Sequence, residues 1–420
     1  MKKLNLIPAV GLLSLGIALS SMSGCTDKDK EEAVKGCTDP SSLNYNPSAT
    51  ESDGSCTYPV TGVKLDTLKG NITANLTLVG SSTQKYILKG FVYVKSGVTL
   101  TINPGTIVFG DKASKGTLII ERGGKLVAEG TASQPIVFTS NQAVGARDYG
   151  DWGGIIICGK AAVNLPGGEG TVEGGTGALF GGALTPDDAD NSGTLKYVRI
   201  EYAGIPLNPN QEINSLTMGS VGSGTKLEYI MASFGLDDSF EWFGGTVNGK
   251  YLIAYKGTDD DFDCDFGWTG TVQFALGYRD GNLADGSGSN GFEVDNDANG
   301  SANAPFTAPT FANVSIIGPR GSNTSFVDLN FQNGLQLRRN NKIKIYNTFV
   351  TGYPTGLYID SQRGSAKANA ASGDLVTKNV VIAGTASHGS NGFSTTGTNS
   401  NIYGLGVAVS DVEQLSKSVA

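Results

Sequence analysis

The sequence predicts an all-β protein that folds as a right-handed parallel β-helix with about 22 residues in each coil. Glycine provides 60 of the 420 residues and charged residues only 17%, a composition typical of chains with many tight turns. From residue 86 onward the chain carries short β-branched segments separated by Gly, Asn and Asp, and these are too short for helices. A pattern also recurs about every 22 residues, from Tyr229 to Tyr251 and from Phe240 to Phe262.

Two types of strand alternate within this repeat. The first type is found at residues 197–200, 229–232, 251–254, 272–275, 313–316, 347–350 and 379–382. The second type is found at residues 240–242, 262–264, 292–294, 335–337 and 357–359. Polar segments rich in Gly, Ser and Asn interrupt the repeat as insertions at 277–291, 296–311, 319–333 and 361–377. A coil of this size cannot bury its own core, so stacked coils are expected. The alternative, a β-propeller, needs a period nearer 40–50 residues.

Composition also limits the functions that are open to the chain. The formal net charge is −8, which argues against a nucleic-acid-binding protein because such a protein needs a basic face. His388 is the single histidine of the sequence. One histidine argues against His-dependent catalytic triads and His-ligated zinc sites. No sustained helical period is present before the last dozen residues, so little helix is expected.

The N-terminus has the pattern of a bacterial export signal. Two lysines precede an apolar segment from Leu4 to about Leu19, which is short for a membrane span and typical of a signal-peptide core. The following Met-Ser-Gly-Cys at 22–25 resembles a lipoprotein cleavage box. The resemblance implies that residues 1–24 are removed and that Cys25 becomes the lipidated first residue. An ordinary secreted protein with an incidental cysteine is the alternative.

A mixed-charge tether follows at residues 25–35. The Lys-Glu-Glu at 30–32 resembles the surface-export signal of Bacteroidota lipoproteins. This implies an outer-membrane lipoprotein that is exposed on the cell surface. The alternative is a solvated linker whose lipid lies in the periplasmic leaflet.

Residues 36–58 form a segment of distinct composition. Its pattern G-C-T-D-P…N-Y-N-P-x-A…D-G-S-C resembles a short two-cysteine module of secreted proteins from the same bacteria. Because an exported chain meets an oxidising compartment, a disulfide between Cys37 and Cys56 is expected. Four side chains of this loop carry oxygen donors that could hold calcium, or could form Asx-turns instead: Asp39, Asn44, Asn46 and Asp53.

The body of the chain, about residues 60–410, resembles the β-helix surface proteins of Bacteroidota. Four segments carry the resemblance: 97–109, 116–131, 135–140 and 151–155. Residues 411–420 are then a C-terminal cap or tail. The resemblance implies the fold but little about activity, because this fold is shared by pectin lyases, polygalacturonases, adhesins and phage tailspikes.

Alternation along the second type of strand assigns its side chains to two faces. The residues expected to point inward are Phe240, Phe262, Phe292, Leu335 and Leu357. Five carboxylates are expected on the outward face of three successive coils: Glu241, Asp263, Asp265, Glu293 and Asp295. Neighbouring like charges repel unless a proton or a cation lies between them. This face is therefore a candidate calcium site, with a solvated acidic surface as the alternative.

Catalysis at this face would need a base. Calcium-dependent pectate lyases hold their metal on an outward strand of a β-helix and use a basic residue to remove a proton next to the uronate carboxylate. Arg338 is the only base on these strands near the acidic face. A polygalacturonase-like hydrolase is disfavoured. Asp237 and Asp238 form a pair, but His388 lies in Ser-His-Gly and no Arg-x-Lys occurs.

Aromatic side chains offer candidate surfaces for stacking on sugar rings. The candidates are Trp152, Trp268, Tyr353 and Tyr358, with Trp268 and Tyr358 foremost. Half-buried packing is the alternative for all four. Cys158 and Cys264 are expected to be free, buried thiols, because at least three coil steps of about 4.8 Å separate them and a disulfide needs Cα atoms within about 7 Å.

These observations favour a lipid-anchored surface protein that binds an extracellular glycan or matrix and is not an enzyme. A calcium-dependent polysaccharide lyase is the first alternative. A purely structural surface protein is the second.

Overall fold

The structure is a computed structural model, and it describes residues 33–40, 42, 44–55, 62–208, 211–320, 327–383 and 387–389. The chain divides into two compact units between residues 61 and 62. The predicted signal peptide, Cys25, Cys56 and the C-terminal tail lie outside the described residues. Within the described part, no helix is long and apolar enough to cross a membrane.

The first unit is small and contains one parallel pair of short strands. These are β1 (Lys35–Gly36) and β2 (Glu51–Ser52). Cys37 follows β1, is buried, and is disulfide-bonded. The pairing with Cys56 remains a prediction, because Cys56 is not described.

The second unit contains the repeat. Its first strands are β3 (Lys64–Ile72), β4 (Leu76–Leu78), β5 (Gln84–Val94), β6 (Thr99–Ile102), β7 (Ile107–Gly110), β8 (Thr117–Ile120), β9 (Lys125–Glu129), β10 (Ile136–Ser140), β11 (Gly154–Cys158), β12 (Gly170–Thr171), β13 (Leu179–Phe180), β14 (Gly193–Glu201), β15 (Pro206–Asn208) and β16 (Gln211–Glu212). Its remaining strands are β17 (Leu216–Gly219), β18 (Lys226–Ser233), β19 (Phe240–Phe243), β20 (Asn248–Tyr255), β21 (Phe262–Asp265), β22 (Thr271–Tyr278), β23 (Phe292–Val294), β24 (Thr310–Ile317), β25 (Asn333–Leu337), β26 (Lys344–Thr351), β27 (Thr355–Ile359), β28 (Val376–Ala383) and β29 (Ser387–Gly389).

These strands confirm the β-helix. Apart from two short antiparallel pairs, β12–β13 and β15–β16, they form one 23-stranded sheet. A strand pairs in parallel with its equivalent in the next coil, as β18 does with β20 and β19 with β21. Two columns of strands matter for function. The straight column comprises β8, β11, β17, β19, β21, β23, β25 and β27, and the bent column comprises β14, β18, β20, β22, β24, β26 and β28.

Each strand of the bent column turns a corner at one residue with a positive φ. These residues are Tyr197, Tyr229, Tyr251, Phe274, Asn313, Asn347 and Asn379, with φ between 48° and 62°. The ladder skips this position, since Lys196 pairs with Glu228 and Val198 with Ile230. Left-handed backbone costs a non-glycine residue roughly 1–2 kcal/mol, less for asparagine. Stacking offsets that cost, because the Tyr197 and Tyr229 rings lie 4.4 Å apart and nearly parallel.

The core lies inside the coils and follows the predicted alternation. All five residues predicted to point inward are buried: Phe240, Phe262, Phe292, Leu335 and Leu357. Cys264 lies in the same core and is a free thiol. Burial of large aromatic side chains at every step gives each coil interface its hydrophobic stabilisation.

A second, outer core covers part of the straight column. The insertion between β11 and β14 includes a single 3-10 turn at Pro166–Gly168, and its Val163, Val172 and Phe180 pack with Ile119 and Ile156. Cys158 is free and buried, as predicted, but it belongs to this outer core. The insertion therefore buries the outer face of these coils, although the alternation of the strands alone would predict that this face is exposed to solvent.

One helix was not expected. The insertion predicted at 361–377 contains α1, Ala366–Ser372. Four of its seven residues are alanine, the best helix former, and Ala366 and Ala370 are buried one turn apart. Gly373 ends the helix with a φ of 83°, a common helix ending. The Gly and Ser residues around this segment masked its short helical pattern.

Candidate functional site

The parallel register brings the predicted carboxylates together. Glu241 of β19 lies opposite Asp263 of β21, which in turn lies opposite Glu293 of β23. Asp265 lies opposite Phe243, two residues further along the same strands. Because adjacent strands are about 4.8 Å apart, these carboxylates form one array across three coils.

This array is not the open surface that alternation suggested. Glu241 is 8% exposed and Asp295 3%, while Asp263, Asp265 and Glu293 are half-buried. The alternative, a solvated acidic surface, therefore does not apply to Glu241 and Asp295, and the other three residues are only partly solvated. A buried carboxylate needs hydrogen bonds, a proton or a cation.

Amide and guanidinium groups satisfy one side of the array. Asn214 donates to Glu241 Oε2, and Gln336 Nε2 donates to Glu293 Oε2 at 2.6 Å. Arg338 forms ion pairs with Glu293 and, through Nε at 3.0 Å, with Asp295 Oδ1. Arg339 Nη1 lies 2.6 Å from Asp295 Oδ2. Asp295 and one side of Glu293 are thus paired with arginine, although burial and the neighbouring Asp265 still raise the pKa of Asp295.

On the other side of the array, carboxylates converge on one another. Three groups have carboxylate oxygens that all lie within 4.8 Å of one another: Asp237, Asp238 and Asp259; Asp238, Glu241 and Asp263; and Asp260, Asp263 and Glu293. Asp238 and Asp263 each belong to two groups. Asp263 Oδ1 is sealed from solvent and has no hydrogen-bond partner among the described residues.

The turn carboxylates of these groups were only partly anticipated. From the sequence, Asp237 and Asp238 are candidates only as a hydrolase pair, and Asp259 and Asp260 flank the five predicted carboxylates. Each pair ends the turn just before a strand of the straight column, β19 or β21. They are 22 residues apart, so the period that predicts the coils also predicts that these pairs stack.

The electrostatics of the array favour neutralisation. Burial, and then neighbouring carboxylates, raise the pKa of Asp238, Glu241, Asp259 and Asp263 well above the ordinary range. Burial also raises the pKa of Asp265 to about 7. A group that cannot easily hold its negative charge takes up a proton or binds a cation. Several convergent carboxylate oxygens are the ligands that calcium prefers.

The single predicted base lies beside this array. Burial and the neighbouring Arg339 lower the pKa of Arg338. Its contacts with Glu293 and Asp295 hold the guanidinium at the edge of the group that contains Asp260 and Asp263. A ligand bound at that group would lie within reach of a basic side chain.

Asp261 has a different role from its neighbours. It is fully buried and its Oδ1 lies 3.0 Å from Arg279 Nε. Arg279 also donates to the carbonyl groups of Gly257 at 2.8 Å and Asn290 at 2.6 Å. Burial raises the pKa of Asp261 to about 7, although Arg279 lowers it. The ion pair between Asp261 and Arg279 therefore links the turns before β21 and β23. It is separate from the three carboxylate groups.

Most of the predicted stacking residues are internal. Trp152, Trp268 and Tyr353 are fully buried, so these three predictions are wrong. Trp268 stacks on Trp242 with ring centres 4.3 Å apart and donates its indole N–H to Val247. The positive φ of Gly267 helps the chain turn inward there. Tyr358 is half-buried on the outer face of the straight column, and its role remains a prediction.

An aromatic groove that the sequence reasoning missed lies along the bent column. It has a volume of about 600 Å³ and is lined by Tyr197, Tyr229, Tyr251 and Phe274 together with Met231, Ile253 and Leu276. The tyrosine repeat was the available signal. Since the rings stack on one another, their faces are largely covered and the groove presents ring edges and hydroxyl groups.

The first unit uses its candidate calcium ligands in local hydrogen bonds. Asn46 Oδ1 accepts from Ser48 N at 3.0 Å and Asp53 Oδ1 from Ser55 N at 2.9 Å, as in Asx-turns. Asn44 donates its amide to Ser55 O. Calcium binding by these residues and by Asp39 remains a prediction.

Comparison with known proteins agrees with this architecture. The sequence model of one family, the pectate-lyase like beta helix domain, matches residues 70–409. No curated protein matches the chain, and no solved structure matches it. The family match spans most of the chain and coincides with the repeat. The chain therefore belongs to the pectate-lyase-like β-helix family.

Proposed function

We propose that this protein binds acidic extracellular glycans through calcium held by the three carboxylate groups of the straight column. The observation that carries the proposal is the convergence of these groups within 4.8 Å, with Asp238 and Asp263 shared between them. Shared carboxylates let neighbouring cations bind side by side, since one carboxylate has two oxygens and can bridge.

Calcium fits these groups better than a smaller cation. Calcium accepts six to eight oxygen ligands in flexible geometry, whereas magnesium requires a near-ideal octahedron. The groups differ in shape and combine turn residues, such as Asp259, with strand residues, such as Asp263. Such irregular sets of ligands suit calcium.

Charge explains why a cation would join the protein to its ligand. The chain has a net charge of −8, so an anionic glycan is repelled by the bare surface. A bound calcium ion reverses the local charge and can complete its shell with a carboxylate of the glycan. Tyr358 continues the column beyond Glu293 and Gln336, and its half-buried ring could contact the same ligand.

The cellular position is part of the proposal. The N-terminal pattern supports lipid attachment at Cys25 and export to the outer membrane with the β-helix on the cell surface. Mass spectrometry of the native N-terminus should find a diacylated or triacylated Cys25, and protease treatment of intact cells should degrade the β-helix. An unmodified N-terminus elsewhere would refute the anchor, and protection from protease would assign the protein to the periplasm.

A second candidate function is a calcium-dependent lyase of acidic polysaccharides. One observation favours it: Arg338 lies against the carboxylate groups and burial lowers its pKa. A base in that position could remove the proton next to a uronate carboxylate. Its two carboxylate partners oppose this role, because they stabilise the charged guanidinium.

Retention and turnover separate the two candidates. The protein should be retained on immobilised polygalacturonate or alginate in calcium and released by a chelator. A lyase would also generate unsaturated products that absorb in the ultraviolet, and Arg338→Ala would abolish that signal. Retention that is independent of calcium would refute the proposed function, and product formation would establish the second candidate instead.

A further inference from the structure

The insertion between β11 and β14 leaves a cavity where it meets the acidic coils of the straight column. The cavity has a volume of about 370 Å³, and its lining residues are Leu165, Thr171, Glu173, Phe180, Glu241, Phe243, Asp265 and Phe266. We name it the Phe243 pocket. The described residues of the lining include three carboxylates, and none of them is a lysine, arginine or histidine.

Much of the wall is hydrocarbon. Phe243 comes from β19, Phe180 from the insertion and Phe266 from the turn after β21. The Phe180 and Phe243 rings are parallel with centres 5.9 Å apart, and Phe266 lies 5.6 Å from Phe243. These rings pack against one another, so the shape of the pocket is fixed before any ligand enters.

Two of the carboxylates are held in place by hydrogen bonds. Glu241 is 8% exposed and accepts from the Asn214 amide. Asp265 Oδ1 accepts from the backbone N–H of Phe266 at 2.6 Å. Glu173 lies at the exposed edge of the pocket. Three acidic side chains therefore face a space whose remaining lining is largely apolar, and a positive ligand that enters this space favours their ionised form.

The chemistry of the wall distinguishes between kinds of cation. A calcium ion needs six to eight oxygen ligands around it, but leucine and phenylalanine side chains supply none. An organic ammonium ion matches both parts of the wall, because its charged end pairs with carboxylates while its carbon skeleton contacts the rings. The volume lies within the range of small-molecule pockets, roughly 300–1,000 Å³.

We propose that the Phe243 pocket binds an organic ammonium compound, a primary amine on a compact carbon skeleton. The site is distinct from the three carboxylate groups, with which it shares only Glu241. Because Glu241 is shared, each site is tested at a residue that only one of them contains, Glu173 in the pocket and Asp260 in a carboxylate group, so that failure of one proposal is distinguishable from failure of the other. An amino sugar carries the required chemistry.

The direct test is calorimetric titration of the full chain with cyclohexylammonium chloride, in chelator and at low salt. Cyclohexanol is the neutral probe of matched shape. We expect saturable binding of the amine at millimolar concentration and none of the alcohol. Equal binding of both probes would reduce the site to an apolar cavity, and absence of amine binding would overturn the proposal.

Two variants locate the binding. Glu173→Gln removes a charge of this pocket that none of the three carboxylate groups contains. It should weaken amine binding by about tenfold, since hydrogen bonds to charged groups contribute at least that much. Leu165→Trp fills the cavity and should abolish binding. Glu173 is exposed, so its variant should fold even if the larger tryptophan is not accommodated, and thermal melting reports the folding of both.

The matched control is Asp260→Asn. Asp260 belongs to a carboxylate group but does not line the Phe243 pocket. This variant should reduce the calcium response and leave amine affinity unchanged within about twofold. Amine binding that survives both Glu173→Gln and Leu165→Trp would lie elsewhere and would refute the assignment.

Discussion

Asp263 lies directly opposite Glu241 in the parallel ladder between β21 and β19. Two acids in this relationship destabilise a sheet, because like charges on adjacent strands are about 4.8 Å apart. Burial strengthens the repulsion and raises the pKa of both side chains. Without metal, the folded protein therefore keeps protons on these carboxylates, and a bound cation would displace those protons. The predictions below on calcium and on pH depend on these raised pKa values.

Asp263→Asn should separate the stability of the fold from its response to calcium. The change removes a charge shared by two carboxylate groups with little change of shape. Without metal, we expect stabilisation of about 1 kcal/mol, or a rise in Tm of roughly 2 °C. Calcium binding to the folded state normally raises Tm, and the variant should lose most of that rise. Glu129→Gln, at an exposed acid of β9, is the control. A full calcium response in the variant would show that Asp263 is not a ligand.

Stability in a chelator should fall as pH rises. Burial raises the pKa of Asp261 and Asp265 from 3.8 to about 7. The folded state therefore holds protons that the unfolded chain has lost, and each such acid destabilises the fold increasingly as pH rises from about 4 to 7. Tm in chelator should decrease between about pH 4 and pH 7. A Tm that rises across this range would contradict the raised pKa values.

Arg279 should be the most sensitive of the charged residues. Arg279→Met removes the partner of buried Asp261 and the donors to Gly257 and Asn290. Losing one member of a buried ion pair costs about 3–5 kcal/mol, measurable by urea denaturation. Adding Asp261→Asn should recover part of the loss, because no buried charge is then unpaired. Arg363→Met, at an exposed arginine, should change stability by less than about 0.5 kcal/mol.

Tyr229 should tolerate asparagine better than alanine. Its ring stacks between Tyr197 and Tyr251, and its φ is 54°. Both changes lose the two stacking contacts, worth about 1 kcal/mol each. Asparagine accepts left-handed backbone more readily, and it occupies this position in three later coils. We expect Tyr229→Ala to unfold at lower urea than Tyr229→Asn. If Tyr229→Asn instead unfolded at the lower urea concentration, backbone strain would not determine the stability of this corner.

Cys158 and Cys264 should resist alkylation in the native state. Both are free and buried, and burial raises the pKa of the Cys158 thiol to about 12. Since the thiolate is the reactive form, iodoacetamide should label neither residue until denaturant is added. Peptide mass mapping reads each cysteine separately. Native labelling of Cys264 would indicate that the coil around β21 opens.

The sequence period was sufficient to predict the coils but not what covers them. The spacing between Phe240 and Phe262 predicts which residues pair between neighbouring coils and which residues point inward. This follows because equivalent residues lie next to each other when the coils stack. The insertion that buries Ile156 and Cys158 has no period, so nothing in the sequence indicates where it lies. Trp268 shows the same limit, because its burial depends on the turn at Gly267 and on packing against Trp242, which are tertiary effects.

The position of the acidic coils along the solenoid has a mechanical consequence. In a repeat protein each coil contacts only its neighbours, so stability is a sum of local interfaces and not one cooperative whole. β19, β21 and β23 stand midway in the stack, with coils on both sides. Because the repulsion is concentrated there, the metal-free protein should come apart first at the interfaces between these middle coils. Under load, the two halves would separate at these coils. A cation held by Asp238, Glu241 and Asp263, or by Asp260, Asp263 and Glu293, would join adjacent coils and make their separation depend on the calcium concentration.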